Sequence, residues 1–129
     1  MATNKKHILI ADDEVQICMS LSILLRDAGY RVTAVHDGRT ALAKLSDLMK
    51  SDGTDLLLTD IRMPDMDGLE LIREVKKINP SLPIFVLTAY GHKNIVAEIS
   101  RLGCSYADKP YKPEELLSDI ALLMEKRNF

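Results

Sequence analysis

The chain has 129 residues, enough for one well-formed core, and its 47% hydrophobic and 28% charged residues match soluble globular proteins rather than disordered ones. A formal net charge of −2 excludes a general attraction to nucleic acid or anionic membranes. The basic start "MATNKKHILIADDE" has too short an apolar run for a signal peptide or a membrane span, and Cys18 and Cys104 have neither metal nor CxxC spacing, so the expected setting is the reducing cytoplasm.

In chain order, "HILIA" (His7 to Ala11) is a continuous apolar strand. Cys18, Leu21, Leu24, Leu25 and Ala28 then recur at helical spacing, with Gly29 as the stop. "YRVTAV" (Tyr30 to Val35) alternates as an edge strand does. After the turn "HDG", a second helix carries Ala41, Leu42, Leu45, Leu48 and Met49, and "DGT" breaks it before the strand "LLLT". Asp67 and Glu70 form a capping-box pattern for a third helix with Leu71, Ile72, Val75 and Ile78. "IFVLT" (Ile84 to Thr88) is the fourth strand, Ile95, Val96, Ile99 and Leu102 mark the fourth helix, and "SYAD" is a short fifth strand. Pro113, Glu114 and Glu115 open a last helix with Leu116, Leu117, Ile120 and Leu123, the acids suiting its positive end. No linker or second domain interrupts this.

Five successive strand-then-helix units predict an α/β fold: one parallel sheet, doubly wound, with helices on both faces. Such sheets bind ligands beyond the carboxyl ends of their strands. There the first strand ends in Asp12 and Asp13, the third in Asp60, the fourth in Thr88 and the fifth in Lys109. The second ends in His36 and Asp37, which read as an ordinary turn. Three crowded carboxylates repel one another and call for a cation. Oxygen ligands without His or Cys favour a hard ion, and Mg²⁺ accepts a few carboxylates while keeping room for a phosphate. An acyl phosphate on Asp60 would carry about two negative charges, a load that the ion and Lys109 offset. Aspartate is a known type of phosphoryl acceptor, and this chemistry needs mainly positioning and charge neutralisation.

The series "DD", "TDIRMPDMDG", "LTA" and "KP", in order and on successive strand ends, resembles the receiver domain of two-component response regulators, over about Lys5 to Met124. The resemblance implies a flavodoxin-like strand order 2-1-3-4-5 and a single receiver domain over 1–129. It implies that Asp60 accepts phosphoryl from a phosphohistidine on a sensor histidine kinase or phosphotransfer protein. Asp12, Asp13, Asp60 and the backbone carbonyl of Arg62 would hold Mg²⁺. Thr88 would bond the phosphoryl group and Lys109 pair with it. Tyr106 would be the switch aromatic, and Lys109–Pro110 a cis peptide. Arg62 and Tyr90 occupy positions that vary in the family and influence phosphate lifetime. The implied function is a signalling switch that turns over no separate substrate. It would act on a downstream effector or an attached output domain, with a phosphorylation-dependent dimer as one form, no membrane contact and no direct nucleic-acid contact by this domain. The tail "KRNF" fits either a free-standing regulator or the receiver of a longer transcriptional activator.

Singly, these residues have plainer readings. Asp13 can cap the first helix with Gln16, Asp60 can be turn chemistry, Thr88 a strand residue, Lys109 solvated and Tyr106 packing. Their joint placement outweighs those readings. His7 and His36 lack metal spacing or a nucleophile partner and read as structural; His92 and the pairing of Asp108 stay open. A Mg²⁺-dependent phosphatase of the haloacid dehalogenase type also uses an aspartyl phosphate, but needs an acid two residues on, where Arg62 stands. A nucleotide binder needs a Gly-rich loop after the first strand, and "ADDEV" has no glycine.

Overall fold

The computed structural model describes residues 5–126, so the first four residues of the basic start and the last three of the tail lie outside the described residues. Within the described residues five strands alternate with five helices: β1 (His7–Ala11), α1 (Val15–Asp27), β2 (Arg31–Val35), α2 (Gly38–Met49), β3 (Leu56–Thr59), α3 (Gly68–Ile78), β4 (Ile84–Thr88), α4 (Lys93–Arg101), β5 (Ser105–Asp108) and α5 (Pro113–Lys126). All strand pairs are parallel, and the order is β2-β1-β3-β4-β5.

The apolar runs sit where the sheet is covered on both faces. Every residue of β1, β3 and β4, the three inner strands, is buried, as continuous hydrophobic runs in parallel sheets require. The edge strands β2 and β5 are only partly buried. Helical periodicity divides the core in two. On one face Ala41, Leu45, Leu71, Ile72, Val75 and Ile99 pack on Leu9, Leu57 and Val86. On the other, Cys18, Leu21, Leu25, Leu116 and Ile120 pack on Ile8, Leu58 and Phe85. Fully burying one such large side chain favours folding by about 1.5–3 kcal/mol over leaving it exposed.

Local signals set most boundaries. Asp67 caps α3, its carboxylate accepting from Glu70 N at 2.9 Å. Asp37, read as an ordinary turn, caps α2 by accepting from Thr40 N at 2.7 Å. Asp13 does not cap α1: the N-cap is Glu14, and no side-chain bond is made there. The second strand begins at Arg31 rather than Tyr30, because Gly29 turns at φ +100° and Tyr30 N bonds back to Leu25 O at 3.1 Å. That closing bond uses the amide a ladder would need. Among the described residues no helix is long and apolar enough to cross a membrane.

Candidate functional site

Backbone bonds extend the sheet one step past the strands and so fix the carboxyl-end residues. Asp12 N donates to Val35 O at 3.1 Å, Asp60 N to Ala11 O at 2.9 Å, and Lys109 N to Thr88 O at 3.0 Å. Asp12 and Asp60 therefore leave adjacent strands at matching heights. Both are buried, at 2% exposure each, whereas Asp13 is exposed.

Lys109 reaches across the strand ends to this pair. Its Nζ donates to Asp12 Oδ2 at 2.7 Å, Asp60 Oδ2 at 2.8 Å and Glu14 Oε1 at 3.0 Å. The other carboxylate oxygens are held by the backbone: Asp60 Oδ1 accepts from Ile61 N at 2.6 Å and Asp12 Oδ1 from Glu14 N at 2.9 Å. Burial would lower the pKa of Lys109, but its bonds to Asp12, Asp60 and Glu14 hold it above the usual lysine value. Burial pushes Asp12 upward, against the hydrogen bond from Lys109 and with the Asp60 charge adding to the rise. Three carboxylates thus face one ammonium, a surplus of negative charge in a partly desolvated place. Carboxylate oxygens of Asp12, Asp13 and Asp60 all lie within 4.8 Å of one another, close enough to share one metal ion. An all-oxygen donor set of this kind suits a hard cation.

Thr88 is fully buried, and its hydroxyl accepts from Tyr90 N at 3.1 Å. Tyr106, partly buried, donates its hydroxyl to Asp108; burial and that bond push its pKa up to about 12. The open question of Asp108 thus resolves toward Tyr106. The Lys109–Pro110 peptide is cis. Arg62 lies over the Tyr90 ring, 4.4 Å from the centroid. His92 is the exposed N-cap of α4 and makes no side-chain cap bond. His36 Nδ1 bonds Asp12 O at 3.1 Å, which ties the β2 end to the site.

Two residues escaped sequence reading. Glu14 was only the third of three acids, and its contact with Lys109 spans 95 positions. Gly68, the last residue of "TDIRMPDMDG", begins α3 so close to the end of β3 that a Cβ there would stand 2.1 Å from Asp60 O. The "DG" step was its available signal.

Carboxylates and one lysine gather beyond the strand ends of a 2-1-3-4-5 sheet, and residues 8–121 match the response regulator receiver domain, the family to which the chain belongs. It is 38% identical over 117 residues to the transcriptional regulatory protein ZraR of Klebsiella oxytoca, covering 90% of this chain and 26% of that protein. Against the response regulator MprA of Mycobacterium avium it is 38% identical over 121 residues, covering 93% of this chain and 51% of that one. The chain therefore spans from about a quarter to half the length of these relatives. Among solved structures, a CheY-like receiver domain protein from Methanospirillum hungatei superposes with a TM-score of 0.89 at 29% identity, over 97% of this chain and 98% of that one. Chemotaxis protein CheY4 of Vibrio cholerae gives 0.82 at 32% identity, over 92% and 98%.

Proposed function

We propose that the chain is a phosphorylation-controlled switch in which Asp60 accepts a phosphoryl group from a phosphohistidine on a sensor histidine kinase or phosphotransfer protein. The observation that carries this is the placement of Lys109 Nζ within 2.8 Å of both Asp12 and Asp60 at adjacent strand ends. An Asp60 oxygen bonds phosphorus as the donor's phosphorus–nitrogen bond breaks, and the departing imidazole takes up a proton. Lys109 then pairs with the phosphoryl oxygens, and the Thr88 hydroxyl, now accepting from Tyr90 N, turns to donate to them. Asp12, Asp13, Asp60 and the Arg62 carbonyl are the residues that would hold Mg²⁺, which neutralises charge on the transferring group when bound.

The proposed output is a shift of α4, β5 and α5 between two packings, with Tyr106 as the moving aromatic. We place the protein in the cytoplasm, as one receiver unit over 1–129 with its core at about 5–124. It modifies only itself and turns over no separate substrate. Its likeness to the transcriptional regulatory protein ZraR, of which it covers 26%, favours a receiver attached to a transcriptional output over a free-standing one. Intact-mass measurement after treatment with acetyl phosphate and Mg²⁺ tests the acceptor: the unaltered chain gains one phosphoryl group and Asp60→Asn gains none. Undiminished labelling of the variant contradicts the assignment.

A further inference from the structure

Glu14 stands at the N-cap of α1, where a polar side chain ordinarily accepts from the first free amides of the helix. Its carboxylate makes no such bond. Oε1 accepts instead from Lys109 Nζ at 3.0 Å. With Asp12 at 2.7 Å and Asp60 at 2.8 Å, all three donors of the ammonium are then committed to carboxylates. A phosphoryl oxygen can pair with Lys109 only if one of these bonds is given up.

The three acceptors are unequal. The side chains of Asp12 and Asp60 are 4% and 2% exposed, while that of Glu14 is 57% exposed. Breaking a buried ion pair strands a desolvated charge, whereas an exposed carboxylate returns to water at small cost. Glu14 is thus the partner that Lys109 gives up first. It also places a fourth negative charge at the open side of the site, facing any incoming anion.

We infer that Glu14 is a positioning residue that occupies, before phosphorylation, the Lys109 donor a phosphoryl oxygen on Asp60 later takes. This rests on Asp60 as acceptor and Lys109 as its phosphoryl partner, and adds a residue to which that reading gives no role. Glu14 holds the ammonium toward the mouth of the site and opposes anionic groups until one displaces it. No covalent bond to Glu14 forms or breaks. Removing its charge frees one lysine donor and one repulsion together, so labelling should quicken.

The test measures the rate of Asp60 labelling by acetyl phosphate with Mg²⁺ for the unaltered chain, Glu14→Gln and Glu14→Ala, at low and high salt. The Lys109 ammonium resonance is recorded on the metal-free proteins. Neither variant removes a side-chain cap bond, since Glu14 makes none at the start of α1, so both should fold. Both are expected to label faster at low salt, by about two- to fivefold, the size an exposed ion pair has. The gap should close at high salt as screening replaces the lost charge, and the Lys109 resonance should move in both variants, which a merely structural Glu14 would not cause. Equal or slower labelling in both, or an unmoved Lys109 resonance, overturns the inference while leaving Asp60 as acceptor. An unaltered chain that takes no label overturns the acceptor reading and the inference with it.

Discussion

The guanidinium of Arg62 lies over the ring of Tyr90, 4.4 Å from its centroid, which joins the residue two past Asp60 to the residue two past Thr88. Both side chains are exposed, and such contacts hold about 0.5–1 kcal/mol at exposed sites. Hydrolysis of an acyl phosphate needs water in line behind phosphorus, opposite the Asp60 oxygen. A stack held over that approach would slow it. Tyr90→Ala should therefore speed loss of phosphate by about two- to fivefold, the equivalent of the stacking energy. Transfer from a donor, which needs no such water, should change little. Following decay of the labelled protein checks this; equal or slower decay places the ring away from the water's path.

Asp13 offers a cleaner view of the metal, because it is exposed and caps nothing. Asp13→Ala should leave the unfolding midpoint unchanged yet weaken Mg²⁺ binding by about tenfold or more, with phosphoryl transfer falling in parallel. The chain contains no Trp, so amide shifts in an NMR titration are the practical readout. Unchanged affinity would remove Asp13 from the ligand set.

At the opposite end of the sheet, His7 is buried at 4% exposure, with Nδ1 bonded to the Thr54 hydroxyl and Nε2 to the Thr33 hydroxyl at 2.8 Å. Burial lowers its pKa from the usual 6.5, Arg31 and Lys44 lower it further, and Asp55 and Asp52 partly oppose them. Below 6.5 the unfolded chain therefore binds more protons at this site than the folded one. Stability from His7 is full above that value and declines as pH falls through it toward the lowered native value. Urea midpoints measured from about pH 7.5 down to about pH 5.5 should fall, and His7→Gln should flatten that part of the slope. An identical slope in the variant would show that other groups carry the acid sensitivity.

Gly68 joins fold and site. A side chain there meets the backbone of Asp60 and Ile61 rather than a movable side chain, so the start of α3 or the acceptor loop must shift. Gly68→Ala should cost about 1–3 kcal/mol of stability, as overpacking does, and slow Asp60 labelling as well. A thermal melt and a labelling rate together decide it; wild-type values for both would mean that the loop yields freely.

Most of the fold is legible in the sequence because two periods carry it. Runs such as "HILIA" and "IFVLT" are wholly buried strands, and Leu71, Ile72 and Val75 mark the buried face of α3. The strand order rests on resemblance, since periodicity is blind to which parallel neighbour a strand takes. Asp12, Asp60 and Lys109 are legible as strand-end residues, and the parallel register then brings them together. Glu14 is not legible, because its partner is set by the reach of Lys109 across the sheet rather than by any local spacing. Tyr30 fails for a related reason: its β propensity is real, but the Gly29 turn ties its amide to the helix behind it.

The most direct test of Asp60 as acceptor is chemical trapping. Borohydride reduces an acyl phosphate to the alcohol, turning a phosphorylated aspartate into homoserine and releasing phosphate. Peptide mapping after treatment with acetyl phosphate, Mg²⁺ and then borohydride should find homoserine at position 60 and at no other aspartate. Homoserine at Asp12 or Asp13, or a phosphorylated chain with none at all, would contradict the account.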